Sequence, residues 1–255
     1  NGGSLTVSAN STLSVALTMT AGALTASGSG INVQAVGAAT VSGASLSASG
    51  GATLSLPNLL SYGSPDYRNT YLQASGTGST LSLPALATLT GGNPGPYNTH
   101  VQVAALAGGT LSLPALTAVN GAAVILKSDG AGSILDVSAL TSFTSSTGSP
   151  LLQATDNGTL RDDSLTSVHG VAVILDGTGT WSYSQIASFT NSSLPLSSGA
   201  LTLDALTTAT GSSFQVSGGA TLNLPNLLTY ASPDYLNTYL QATGAGSTLS
   251  LPALA

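Results

Sequence analysis

The densest run of chemically capable side chains is RDDSLTSVH, Arg161 to His169. Adjacent carboxylates, Asp162 and Asp163, beside the guanidinium of Arg161 and followed by the imidazole of His169, are groups that can divide acid and base roles in carbohydrate cleavage. They do so when their environments separate their pKa values. The role requires all four to converge on one groove. The simpler expectation is that Arg161 and the aspartates neutralise one another at a corner. Asp162 stands out, because the same position of the related strings from Leu54 onward carries Leu, Val or Tyr. Either a bulge turns it outward or it is buried against a specific donor such as Arg161, since a buried unpaired carboxylate is strongly unfavourable.

Other chemistry is thinly represented. His100 and His169 lie 69 residues apart, there is no Cys, and no calcium-loop string occurs. No Gly-rich string stands in the strand-to-helix context of a phosphate cradle, and none carries the following Lys. The expectation is therefore no catalytic residue, no cofactor, no metal and no enzymatic activity. Three sequons, at Asn10, Asn157 and Asn191, are expected by chance in so Ser- and Thr-rich a chain. Contact chemistry is better represented. The strings YGSPDYRNTY and YASPDYLNTY place Tyr62, Tyr67 and Tyr71, and again Tyr230, Tyr235 and Tyr239, around a Pro-Asp turn. Aromatic groups on protruding loops suit partner chains or sugars, and equally they could cover the open end of a core.

Charge limits the partners. With three cations in a net charge of -6, the chain lacks the Lys and Arg needed to neutralise a phosphate backbone, so nucleic acid is not expected. The longest apolar runs, 122–126 and 171–175 among them, have five residues, against about 20 for a membrane-spanning helix. At 42% hydrophobic and 5% charged the composition is that of a folding chain rather than a disordered one. The absence of Cys removes disulfide staples and leaves the redox compartment open.

What must position these groups is a repeat. Apolar residues recur at i, i+2, i+5 and usually i+8, as in Leu54, Leu56, Leu59 and Tyr62, or Leu111, Leu113, Leu116 and Val119. Eleven anchors result, at Leu13, Ile31, Leu54, Leu81, Leu111, Leu135, Leu160, Trp181, Leu201, Leu222 and Leu249, spaced by 18 to 30 residues. The period-2 start is a strand, and Pro at i+3 in five copies ends it and turns a corner. A second strand precedes the anchor, as in Leu72-Gln73-Ala74 and Phe214-Gln215-Val216, and a Gly-rich turn joins the two. Gln73, Gln153, Gln215 and Gln241, with Lys127 and Asp176 as substitutes, read as an outward amide ladder. Helical readings fail, because Gly, Ser and Thr are poor helix formers and no 3.6-residue stripe persists. The pattern predicts an all-β, right-handed parallel β-helix, or β-solenoid, of about 11 coils with 18–30 residues per coil, forming one continuous domain over residues 1–255. Stacked at about 4.8 Å, the coils make a rod roughly 50 Å long.

A longer period overlies the short one. Residues 52–87 and 220–255 match at 30 of 36 positions with an offset of 168, which is seven coils. The chain thus divides into shorter irregular coils (1–53), a seven-coil module (54–221) and the start of a second copy (222–255). The strings TLSLPALATLTGG and TLSLPALTAVNG, in a Cys-free and nearly uncharged Gly/Ser/Thr background, resemble the large secreted bacterial β-strand-repeat or filamentous-haemagglutinin-like adhesins. LPALTAVNG also looks like receptor L-domain and leucine-rich solenoids. The first resemblance implies an extracellular or cell-surface shaft used in adhesion, matrix or fibre formation, with glycans or a host or cell surface as possible partners. The chain starts at Asn1 without a signal peptide, as a processed chain or fragment would. It stops after the first strand and corner of a coil and begins with what reads as the second half of one. Joining Ala255 to Asn1 gives an anchor spacing of 19, so the expectation is completion of that coil by covalent continuation or by end-to-end stacking of copies. Two other classes fit a β-solenoid: a carbohydrate-binding or carbohydrate-cleaving β-helix, and an ice-binding face built from ranked outward Thr, which here is imperfect.

Overall fold

The computed structural model describes residues 3–65, 67–145, 147–233 and 237–254. The chain is a parallel β-solenoid of 11 turns, in which each full coil contributes three short strands. Among the described residues these stack into sheet A with 11 strands, sheet B with eight and then a further three, and sheet C with ten. Every neighbouring pair is parallel, as in Leu54↔Leu81↔Leu111 of sheet B. The helical content among the described residues is a single 3-10 turn, Gly95–Tyr97.

Parallel pairing in register puts equal positions above one another, so each inward residue of the repeat becomes a column. In sheet B the column runs Leu111, Leu135, Leu160, Trp181 through one ladder, and Leu201, Leu222, Leu249 through the next. All of these are buried except Leu249, which is half-buried at the last strand. Sheet A adds Leu46, Leu72, Val103, Leu126 and Leu152. Sheet C adds Tyr62, Leu89, Val119, Phe143 and Val168. The i+8 position was thus the signature of a third strand, where the sequence pattern had indicated two strands per coil. Each strand is so short that one buried residue in three carries its period.

The first two anchors shift by two residues. Val33, not Ile31, pairs with Leu54, and Ser11, not Leu13, pairs with Val33. A shift of two keeps the same face, so Ile31 still packs against the core, whereas Leu13 is exposed. Within residues 3–53 the pairing of sheets A and B is continuous, and sheet C carries a register irregularity between Ala39 and Val41, which pair with Leu59 and Tyr62. The expected amide ladder is also corrected. Gln215 stacks on Gln241 and Lys127 on Gln153, so the ladder exists only locally: Gln73 stacks on Ala104, Gln153 on Ile174 on its other side, and Asp176 falls two positions beyond the column. Gln153 Nε2 donates along its own strand, to Thr155 Oγ1 at 3.0 Å.

Two kinds of corner hold the triangle. Between sheets B and C the chain turns at Pro57, Pro84 and Pro114, directly after the inward Leu56, Leu83 and Leu113. Between sheets A and B the position two before the anchor is serine in three of the coils from Leu54 onward, at Ser79, Ser133 and Ser247. Ser79 Oγ accepts from Gly51 N of the coil below (3.0 Å) and donates to Ser75 O (2.8 Å). Ser133 does the same with Gly108 N and Asp129 O (2.9 and 2.7 Å). At Gly109 and Gly158 the same position is glycine, and an added Cβ would lie 2.5 Å from a carbonyl oxygen below.

Candidate functional site

The third corner, from sheet C back to sheet A, carries the irregular chain. Some coils cross it in two residues, at 122–123, 170–171, 191–192 and 211–212. Others cross by loops at 64–69, 92–100, 145–150 and 232–239. The longer connections therefore all leave from one edge of the solenoid. Tyr62 and Tyr230 stand at the same point of two of them, 168 residues apart, and both face inward. Tyr62 is buried and its hydroxyl donates to Ala44 O at 2.9 Å, while half-buried Tyr230 donates to Ser212 O at 3.0 Å. Burial pushes the Tyr62 phenol up to about 12. These two rings serve the core.

Three other tyrosines are displayed. Tyr67 is 54% exposed, Tyr97 77% and Tyr239 49%. Tyr71 is half-buried and meets His100 edge-on, with ring centroids 6.1 Å apart. Tyr235 lies outside the described residues. The first two loops brace each other, since Tyr67 N donates to Asn93 O and His100 N to Asn69 Oδ1, each at 2.9 Å. The ring of Tyr67 lies so close over Gly95 that a Cβ there would collide with it, and Gly95 also adopts φ +53. Only glycine satisfies both conditions. Arg68, beside Tyr67, donates from Nη1 to Gly43 O at 3.4 Å. Farther along the same edge, the short crossings at 170–171, 191–192 and 211–212 form the floor of a cleft of about 570 Å³, bounded by Ser149 and Pro150 on one side and Asn237 on the other. His169 and Asn191 line it, His169 with Nδ1 2.7 Å from Thr190 Oγ1. No charged side chain lines this cleft among the described residues.

The run 161–169 does not assemble. Arg161 and Asp163 are exposed on the B side, His169 is on sheet C, and Asp162 is fully buried. The donors to Asp162 come from the coil above and not from Arg161: Trp181 Nε1 to Oδ2 at 2.5 Å and Ser182 N to Oδ1 at 3.2 Å. Asp163 accepts from Ser182 Oγ at 2.9 Å. Burial lifts the Asp162 carboxyl to about 7, opposed by the Trp181 and Ser182 hydrogen bonds and aided by the charge of Asp163. Trp181 was legible as an anchor, but not as the donor to the carboxylate one coil below. The available signal was that a Trp stands one coil above the only anchor string with Asp at i+2.

Other carboxylates act as local caps. Burial acts to raise Asp176, but donors from Asp156 N, Thr178 N and Oγ1, and Gly179 N outweigh it and hold the group at about 2. Asp129 is lowered first by the Thr155 hydroxyl, 2.6 Å away, and further by Lys127 at 3.0 Å. Among the described residues, no three His, Cys, Asp or Glu gather where a metal could be held. No helix among them is long and apolar enough to cross a membrane. In comparisons with known proteins, no family model, no curated protein and no solved structure matches this chain.

Proposed function

We propose that this chain is a structural shaft of an extracellular fibre, surface adhesin or matrix protein, whose work is to carry contact loops along one edge. The observation that supports this most is the recurrence of one loop-bearing coil at the same corner, 168 residues and seven coils apart, with Tyr62–Ala44 and Tyr230–Ser212 closing the core in the same way. A core of interchangeable Leu columns makes coils additive, which suits a spacer. The carboxylates of the one catalysis-like run also serve packing: Asp162 is bound to Trp181 and Ser182, and Asp163 to Ser182.

A second reading is favoured by a specific observation. Tyr67 and Tyr97 are exposed on mutually braced loops with Arg68 beside them, a composition that suits contact with carbohydrate or with a neighbouring copy. Contact at this edge is compatible with a shaft and would make it adhesive. The test combines negative-stain electron microscopy with a glycan array. The shaft reading expects rods of uniform width, and the contact reading expects binding that Tyr67→Ser with Tyr97→Ser abolishes while the rods persist. Compact particles, or glycan turnover in place of binding, would refute the shaft.

A further inference from the structure

All three ladders thin out at one step of the solenoid. Elsewhere in sheet A the pairing is continuous, with six successive pairs between Val101–Leu106 and Val124–Asp129. Between Ala172–Leu175 and Ser193–Leu196 only the first and last positions pair. In sheet B the eight-stranded ladder stops at Thr180–Trp181 and a new one begins at Ala200–Thr202. In sheet C the corresponding strands share the single pair Ser188↔Thr208, where the step below has three.

The sequence supplies the causes. Ser193 N reaches down to Val171 O at 3.1 Å. Backbone groups alternate sides along a strand, so the next downward rung would start from residue 195. That residue is proline, which has no N–H to give. In sheet B, Trp181 and Tyr183 occupy places that Leu or Val fills in most coils, and their rings stand 5.7 Å apart. Trp181 is tied downward, to Asp162. Above it a gap of about 150 Å³ opens between Trp181 and Tyr183 on one side and Leu196, Gly199 and Leu201 on the other. What crosses the step is largely corner bonding, such as Ser198 Oγ to Asp176 O at 2.6 Å and Thr207 N to Ala187 O at 3.1 Å.

We propose that this step is a built-in joint, at which the coils below residue 190 and those above residue 193 open and bend as two blocks. A parallel solenoid is held by nearest-neighbour interfaces, so the interface with the fewest rungs opens first. The joint lies inside the 168-residue module, and it adds a bending point to the shaft without depending on what the loops contact.

Hydrogen exchange of the whole chain tests it. Backbone amides at 180–203 are expected to exchange at least about tenfold faster than those of the matched steps at 134–161. Pro195→Gln, which restores the donor with the residue found at 215, and Tyr183→Leu are expected to remove most of that difference. A second readout uses the absence of cysteine. Spin labels at Thr110→Cys and Thr221→Cys span five coils across the joint, and labels at Asn32→Cys and Thr159→Cys span five within the lower block. The first pair should give the broader distance distribution, narrowed by Pro195→Gln. Equal exchange at both steps, equal distance widths, or a folded Pro195→Gln chain with unchanged exchange would overturn the joint.

Discussion

Asp162 shows how one residue in an apolar column takes on a pH dependence. Its carboxyl is lifted from 3.8 to about 7 by burial, so the folded chain prefers it protonated. The contribution to stability is complete below the unfolded value, shrinks as pH rises toward 7, and is gone above it. Over that window each pH unit removes about 1.4 kcal/mol. Thermal melts between pH 4 and 8 should therefore show a falling midpoint, and Asp162→Asn should flatten the curve. Asp162→Leu, which restores the residue of the neighbouring coils, should raise the midpoint at pH 8. A midpoint that falls equally in both variants would assign the dependence to another group. At the aromatic corner the expectation is opposite in kind: Tyr67→Ser should leave the melting temperature within about 1 °C, because an exposed ring contributes little to stability. Tyr62→Phe should cost about 1 kcal/mol, the typical value of a hydrogen bond lost to a buried carbonyl, and chemical denaturation can compare the two.

At the scale of strands and corners, columns set the cost of substitution. Leu111→Ala opens a cavity between Leu81 and Leu135 in a fully buried column and should cost about 2–5 kcal/mol. Leu249→Ala, at a half-buried position, should cost clearly less, and urea unfolding can rank them. Gly158→Ala should be worse than its one methyl group suggests, since the new Cβ meets Ser128 O at 2.5 Å and that contact is backbone. Much of this architecture was legible. The i, i+2 pattern marked the sheet B strands and the Gln-centred triplets marked sheet A, because inward positions of stacked strands must be apolar. The third strand was written only as an isolated apolar residue at i+8, and one residue does not define a period. Register at Leu13 and Ile31 slipped by two because both choices put an apolar side chain on the same face. The partner of Asp162 was illegible for a different reason: its neighbours in space come from the next coil, while Arg161, its neighbour in sequence, points away.

For the molecule as a whole, stability is spread over coils that touch only the coils beside them. Image averages of isolated rods should then show variation in curvature concentrated near one fixed point, two-thirds to three-quarters of the way along, if the thin step at 190–193 governs bending. Uniform curvature along the rod would place flexibility in the repeat itself. The scarcity of cations has its own consequence for digestion. Arg68, Lys127 and Arg161 are the basic residues of the whole chain, so trypsin has three places to cut. Lys127 lies within Val124–Asp129 and Arg161 within Thr159–Arg161, each paired with coils below and above. Arg68 alone stands in a loop, exposed at the surface. Native material should be nicked once, after residue 68, and the two pieces should stay together through the stacked core until denatured.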